Sequence, residues 1–178
     1  MPETTQESDH AASAVTHLRS VTRVDHEKVD AAFGGFAIGT RDGYRDFLIA
    51  HARILPLAER LIDPGALIAG WQGRTEALLD DLQALGGAVP PEIDFALPEG
   101  EAARWGALYV IEGSRLGGAV LARMVPEGLP AAYLGARHGS GGGRDLLARL
   151  DAQIGDRGAE AEAGAKAMFG AYLDAAQT

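Results

Sequence analysis

The sequence predicts an all-α fold, and three observations carry that expectation. Every long apolar pattern recurs at spacings of three and four residues, the period of a helix packed along one face. The patterned segments end at glycine pairs or prolines, as helices do. The one alternating run, Ile93-Asp94-Phe95-Ala96-Leu97, has no second strand to pair with, so it reads as loop. No repeat of constant period is visible.

Residues 1–11 are polar and without period and read as a disordered tail, leaving 12–178 as one multi-helix domain. In the first helix Leu18, Thr22, Asp25, His26, Val29 and Phe33 share a face, and Gly34-Gly35 closes it. A second helix is expected from Thr40 or Asp42 through Tyr44, Phe47, Leu48, His51, Leu55 and Ala58 to Ile62. Pro56 should kink it, and Asp63-Pro64-Gly65 should stop it. A third carries Leu78, Leu79, Leu82 and Leu85 before Gly86-Gly87. The longest runs from about Glu101 to Met124 through Trp105, Leu108, Tyr109, Ile111, Leu116 and Val120. Gly135 to Gly143 reads as a flexible connector. Helices near Asp145–Ile154 and Ala159–Ala175 complete the chain.

A chain of 178 residues can bury a sizeable core without a staple. It holds 16 Lys and Arg against 25 Asp and Glu, a net charge of −9. That balance argues against nucleic acid and anionic membrane surfaces as partners, since both need a basic face. Cys is 0, which excludes disulfides, thiolate nucleophiles and thiolate metal sites, and is consistent with a cytoplasmic address. No segment approaches the ~20 apolar residues of a membrane span. The acidic, polar N-terminus is unlike a signal peptide.

Two places could carry chemistry. His26 lies on the apolar stripe of the first helix, four residues after Thr22 and three before Val29. A core histidine making one hydrogen bond fits that position, and so does an axial ligand presented from a helix. The second place is Glu112-Gly113-Ser114-Arg115-Leu116-Gly117-Gly118. Each glycine inside a helix costs up to about 1 kcal/mol relative to Ala, so three together need a reason. Gly113 and Gly117 share a face, which suits either close helix packing or a flat ligand lying against bare backbone. The Gly135–Gly143 stretch lacks the Lys-Ser/Thr ending of a phosphate loop. His10, His17, His51 and His138 show no metal-ligand spacing.

Leu18-Arg19-x-x-Thr22-x-x-x-His26-x-x-Val29-Asp30 and Leu108-Tyr109-Val110-x-Glu112-Gly113-Ser114-x-Leu116-Gly117 together resemble the bacterial haem oxygenases, most of all those associated with bacterial phytochromes. The resemblance implies a single helical domain binding haem, which is both substrate and oxygen-activating cofactor. It implies His26 as the proximal iron ligand and Gly113 and Gly117 as the distal glycines facing oxygen. Arg19 would contact a haem propionate and Tyr172 would reach the other. Tyr109 and Arg74 would belong to the distal water network, and Ser114 and Gly118 would border the haem. The implied reaction opens haem to biliverdin, carbon monoxide and ferrous iron, with molecular oxygen and an electron donor such as a ferredoxin as partners. Its implied purpose is bilin supply to a phytochrome or iron recovery. Arg115 stands where several relatives have a smaller polar residue. A regular helix points it away from the glycines, toward pairing with Glu112 at i, i+3.

The alternative is a non-catalytic haem- or bilin-binding module on the same fold, because one fold hosts several activities. A thiamin-degrading relative on a similar helical fold would need a Cys nucleophile, and this chain has none.

Overall fold

The computed structural model describes residues 13–137 and 142–178, and all regular structure among them is helical. In chain order the helices are α1 (Ala14–Val21), α2 (Arg23–Gly34), α3 (Arg41–Ala52), α4 (Leu55–Ile62), α5 (Pro64–Leu67), α6 (Thr75–Ala84), α7 (Glu101–Leu121), α8 (Ala132–Gly135), α9 (Gly142–Ile154) and α10 (Gly158–Gln177). The tail expected at 1–11 lies outside the described residues. Residues 93–97 are loop, as expected, with the Ile93 N–H donating to the Arg53 carbonyl at 3.1 Å.

Two helices expected to be single are each a pair. The first breaks at Thr22, whose φ of −104° and ψ of 4° leave the helical region. Its hydroxyl donates to the Leu18 carbonyl at 2.7 Å, and such back-bonding bends helices. Leu18 and Thr22 on one side of the bend are buried, while His26 beyond it stands at an accessible edge. The second expected helix divides at Arg53–Ile54 rather than kinking at Pro56. Pro56 sits in the first turn of α4, where a missing N–H costs no helix bond. Asp63 then adopts a left-handed φ of 47° and ends α4, as Asp63-Pro64-Gly65 foretold.

Helix α7 runs through the core against α10, and small residues set how closely they cross. A Cβ on Gly106 would strike the Ala161 carbonyl, and one on Gly164 would strike the Ala103 carbonyl. Glu160 of α10 accepts the N–H groups of Ala102 and Ala103 at 2.9 and 3.3 Å, anchoring the positive end of α7. Around this crossing Trp105, Leu108, Ile111, Ala165 and Met168 are buried. Helix α10 also packs on α2 and α3.

Helix α9 begins at Gly142, and Gly135 closes α8, so both ends of the expected glycine-rich connector are helical. Residues 138–141 of that connector lie outside the described residues. The short α8 was not foreseen. It carries Tyr133 and Leu134 into the core, and the buried Asp81 carboxylate accepts the Tyr133 N–H at 2.9 Å. No helix among the described residues is long and apolar enough to cross a membrane.

Candidate active site

A cavity of about 400 Å³ lies between α1–α2 and the glycine-bearing stretch of α7, with further walls from α3, α8, α9 and α10. Val29, Phe33, Leu146, Leu150 and Phe169 make it largely apolar. Eight of the nine residues singled out from the sequence border it: Arg19, His26, Tyr109, Gly113, Ser114, Gly117, Gly118 and Tyr172.

His26 comes from α2, with its Nδ1 3.0 Å from Oδ2 of Asp30 one turn later. The carboxylate thus engages Nδ1 and leaves Nε2 as the ring nitrogen without that partner. The edge of the ring meets Phe169 of α10, with centroids 5.7 Å apart, which limits its rotation. Among the described residues no group of three or more His, Cys, Asp and Glu could hold a metal ion.

The glycines of α7 divide into two kinds. A Cβ placed on Gly113 or Gly117 would meet no atom within 4 Å, so these two present bare backbone to open space. A Cβ on Gly118 would come within 3.1 Å of the Leu134 carbonyl. Gly118 therefore borders the cavity but is glycine because α8 crowds it. Of the alternatives left open for Gly113 and Gly117, close helix packing does not hold, since neither meets a neighbour.

Arg74, the ninth residue, does not border the cavity. It is buried behind the wall, where its Nη2 donates to the Ile111 carbonyl at 2.6 Å and to Ser114 Oγ at 2.8 Å. Its guanidinium also lies over the Tyr133 ring, 5.2 Å from the centroid. Its place is one of bracing α7, not of touching a ligand. The Ser114 hydroxyl in turn donates to Ile111 O at 2.8 Å, which fixes its orientation.

Tyr172 also departs from expectation. A propionate partner belongs at a solvent edge, whereas Tyr172 is 3% exposed and packed against Phe33 and His51. Its hydroxyl points toward Ser114 without a bond of good geometry, and burial pushes its pKa well up. It is an interior wall residue. Arg19 is exposed and borders the cavity.

His51 borders the same cavity although its spacing gave no metal signal. It is buried between Phe33, Phe47, Tyr133 and Tyr172. Nδ1 lies 3.0 Å from the Phe47 carbonyl, which can only accept, so Nδ1 carries the proton and Nε2 is an acceptor. Burial lowers its pKa to about 3, assisted by the nearby Arg74 charge, so the ring stays neutral. The signal in the sequence was its place on the apolar stripe of α3, one turn after Phe47. Burial also pushes Tyr133 up to about 12. The polar groups on this side of the cavity thus hold their protons firmly near neutral pH.

His17 pairs with Glu162 at 3.4 Å on the surface, away from the cavity. His10 and His138 lie outside the described residues.

Fold and pocket define a class: a helical protein with a largely apolar cavity lined by both a histidine-bearing helix and a helix with exposed glycine backbone. No family model matches the chain. A haem oxygenase of Xanthomonas campestris pv. campestris (strain 8004) is 39% identical over 144 residues, which span 72% of this chain and 85% of that relative. The fold is shared with the crystal structures of the NO- and CO-bound haem oxygenase from Neisseria meningitidis. The TM-score is 0.71 at 22% identity, over 94% of this chain and 92% of that one. The chain belongs to the haem oxygenase family.

Proposed function

We propose that haem lies in this cavity with His26 Nε2 as its iron ligand and Gly113 and Gly117 on the oxygen side. As a haem oxygenase the protein is an oxidoreductase that degrades haem to biliverdin, carbon monoxide and iron. The observation that carries the reading is that His26 and the two unobstructed glycines, 87 and 91 residues further along the chain, line one cavity. The residues fit the group: the walls are apolar, a bare imidazole nitrogen borders the space, and backbone without Cβ admits a flat ring closely. Bound haem supplies both the iron that activates oxygen and the porphyrin edge that is oxidised.

The chain's own part is positioning and proton control. His26 is a neutral ligand oriented by Asp30, so it does not add the electron push of a thiolate. The neutral His51 and the buried Tyr133 and Tyr172, whose ionisation burial opposes, hold their protons near neutral pH and offer no ready acid to the cavity they line. Arg19 at the rim supports seating of a propionate. In our reading a ferredoxin or another reductant supplies electrons, and the Cys-free composition fits a cytoplasmic address. The motif resemblance supports bilin supply to a phytochrome or iron recovery as the purpose.

The test is turnover. Haemin added to the purified protein should give a His-ligated spectrum. With oxygen and ascorbate or a ferredoxin system, and with catalase present, the haem band should bleach as a bilin band grows. Haem that binds but survives unchanged, with neither biliverdin nor carbon monoxide produced, overturns the catalytic reading. Tight bilin binding under those conditions would assign the binding module instead.

A further inference from the structure

Helix α7 is weakest where the site needs it most definite. Three glycines between 113 and 118 remove side-chain support from that turn. Bonds from outside the helix converge on the same turn. Trp71 Nε1 donates to Glu112 Oε1 at 2.9 Å, and Arg115 Nη2 donates to the Gln72 carbonyl at 2.7 Å. Arg74 reaches Ile111 O and Ser114 in the same register. The segment 71–74 and the turn 111–115 therefore hold one another reciprocally. Glu59 secures the segment from behind by accepting the Arg74 and Thr75 N–H groups at 2.7 and 3.3 Å.

Arg115 is the centre of this strap. Its Nε lies 3.0 Å from Glu112 Oε2, with the two side chains 4% and 1% exposed. Its Nη1 donates to the Arg137 carbonyl at 3.3 Å, and its guanidinium lies 5.7 Å from the centroid of the Trp71 ring. One planar fork thus ties α7 to backbone on both flanks. A buried ion pair of this kind adds little net stability, because desolvation offsets its attraction; its best-attested use is to fix register.

We propose that Arg115, through Glu112, Trp71 and Gln72, is a positioning residue that sets the height and tilt of the Gly113–Gly117 backbone over the substrate. The inference rests on the functional reading above. Arg115 faces away from the open glycines, so it acts through the helix and touches no ligand.

The test uses the full chain and two variants. Arg115→Lys keeps the charge but loses the fork. Glu112→Gln/Arg115→Gln removes both charges together, so that no unpaired buried ion unfolds the protein. Thermal melting establishes that each is folded. Acrylamide quenching of tryptophan emission reads the strap without haem: Trp71 is half-buried and Trp105 is 2% exposed, so added quenching reports release of Trp71. The infrared stretch of carbon monoxide on the reduced haem complex then reads the position of the glycine backbone. Both variants should show more quenching, a shifted or split carbon monoxide band, and turnover lower by roughly ten- to a hundred-fold with substrate affinity little changed. Increased quenching with the parent's band overturns the proposal, whatever the turnover. A parent complex that binds haem without degrading it overturns the functional reading, and the band comparison still decides the strap.

Discussion

The Asp30 carboxylate stands 3.0 Å from Nδ1 of His26, one turn further along α2, leaving Nε2 as the ring nitrogen not turned to it. The pair accounts for two properties at once. It orients the ring through Nδ1, and it leaves Nε2 available to a ligand. Both residues are more than half exposed, so the pair contributes little to folding.

Asp30→Asn should therefore weaken haem affinity or turnover by roughly ten- to a hundred-fold, the usual effect of removing such an outer partner. His26→Ala should abolish the axial-ligand signature altogether. Haemin titration followed by absorption checks both. The melting temperature of the ligand-free protein should stay unchanged in each case. An unaltered spectrum in His26→Ala removes the proximal assignment.

The two kinds of glycine on α7 should respond oppositely to a methyl group. Gly113→Ala and Gly117→Ala meet open space, so each should raise ligand-free stability by up to about 1 kcal/mol. Gly106→Ala collides with the Ala161 backbone and should lower it by about 1–3 kcal/mol. Gly117→Leu should leave the fold intact and impair oxygen chemistry. Urea unfolding and turnover separate these effects, and a large stability loss in Gly117→Leu would show that the face is packed.

Arg19 is exposed at the rim, so a propionate contact there is screened and worth about 1 kcal/mol. Reversing the charge in Arg19→Glu adds repulsion and should cost about ten-fold in affinity, which corresponds to about 1.4 kcal/mol. Chromatography of the biliverdin isomers provides a second readout, because a reseated ring exposes a different edge. Unchanged affinity and an unchanged isomer pattern would make Arg19 ordinary surface.

His51 makes stability depend on pH. Its folded pKa, lowered to about 3 by burial, lies below the ordinary value of about 6.5. Above pH 6.5 the ring is neutral in both states and its full contribution is present. As the pH falls from 6.5 toward 3, the unfolded chain takes up a proton that the folded protein refuses, and stability drops. His51→Gln should flatten the slope of stability between pH 6 and 4, measured by urea unfolding. A slope identical to the parent's would mean that His51 is protonated within the fold.

Periodicity and stop signals were sufficient for the helices, because a helical face is a local pattern. They were insufficient at Thr22 and at Arg53–Ile54. The Thr22 bend depends on whether a hydroxyl turns to its own helix or to solvent, and both choices leave the same apolar spacing. Likewise Pro56 reads identically as a kink or as the first turn of a new helix. The short α8 carries no period at all, and its place follows from Asp81, 52 residues away along the chain.

Residue type and order alone singled out His26 and the Gly113–Gly117 pair, since a histidine on an apolar stripe and glycines inside a strong helix are anomalies visible locally, and all three line one cavity. Only the tertiary structure decided which glycine faces space and which faces Leu134, that Arg74 braces the wall from behind, and that Tyr172 is interior. It also decided that His51 joins the cavity and that Arg115 grips two distant carbonyls. Each of these depends on what another segment places opposite the residue. Side-chain packing and hydrogen-bond geometry are properties of pairs remote in sequence, whereas helix formation is a property of neighbours.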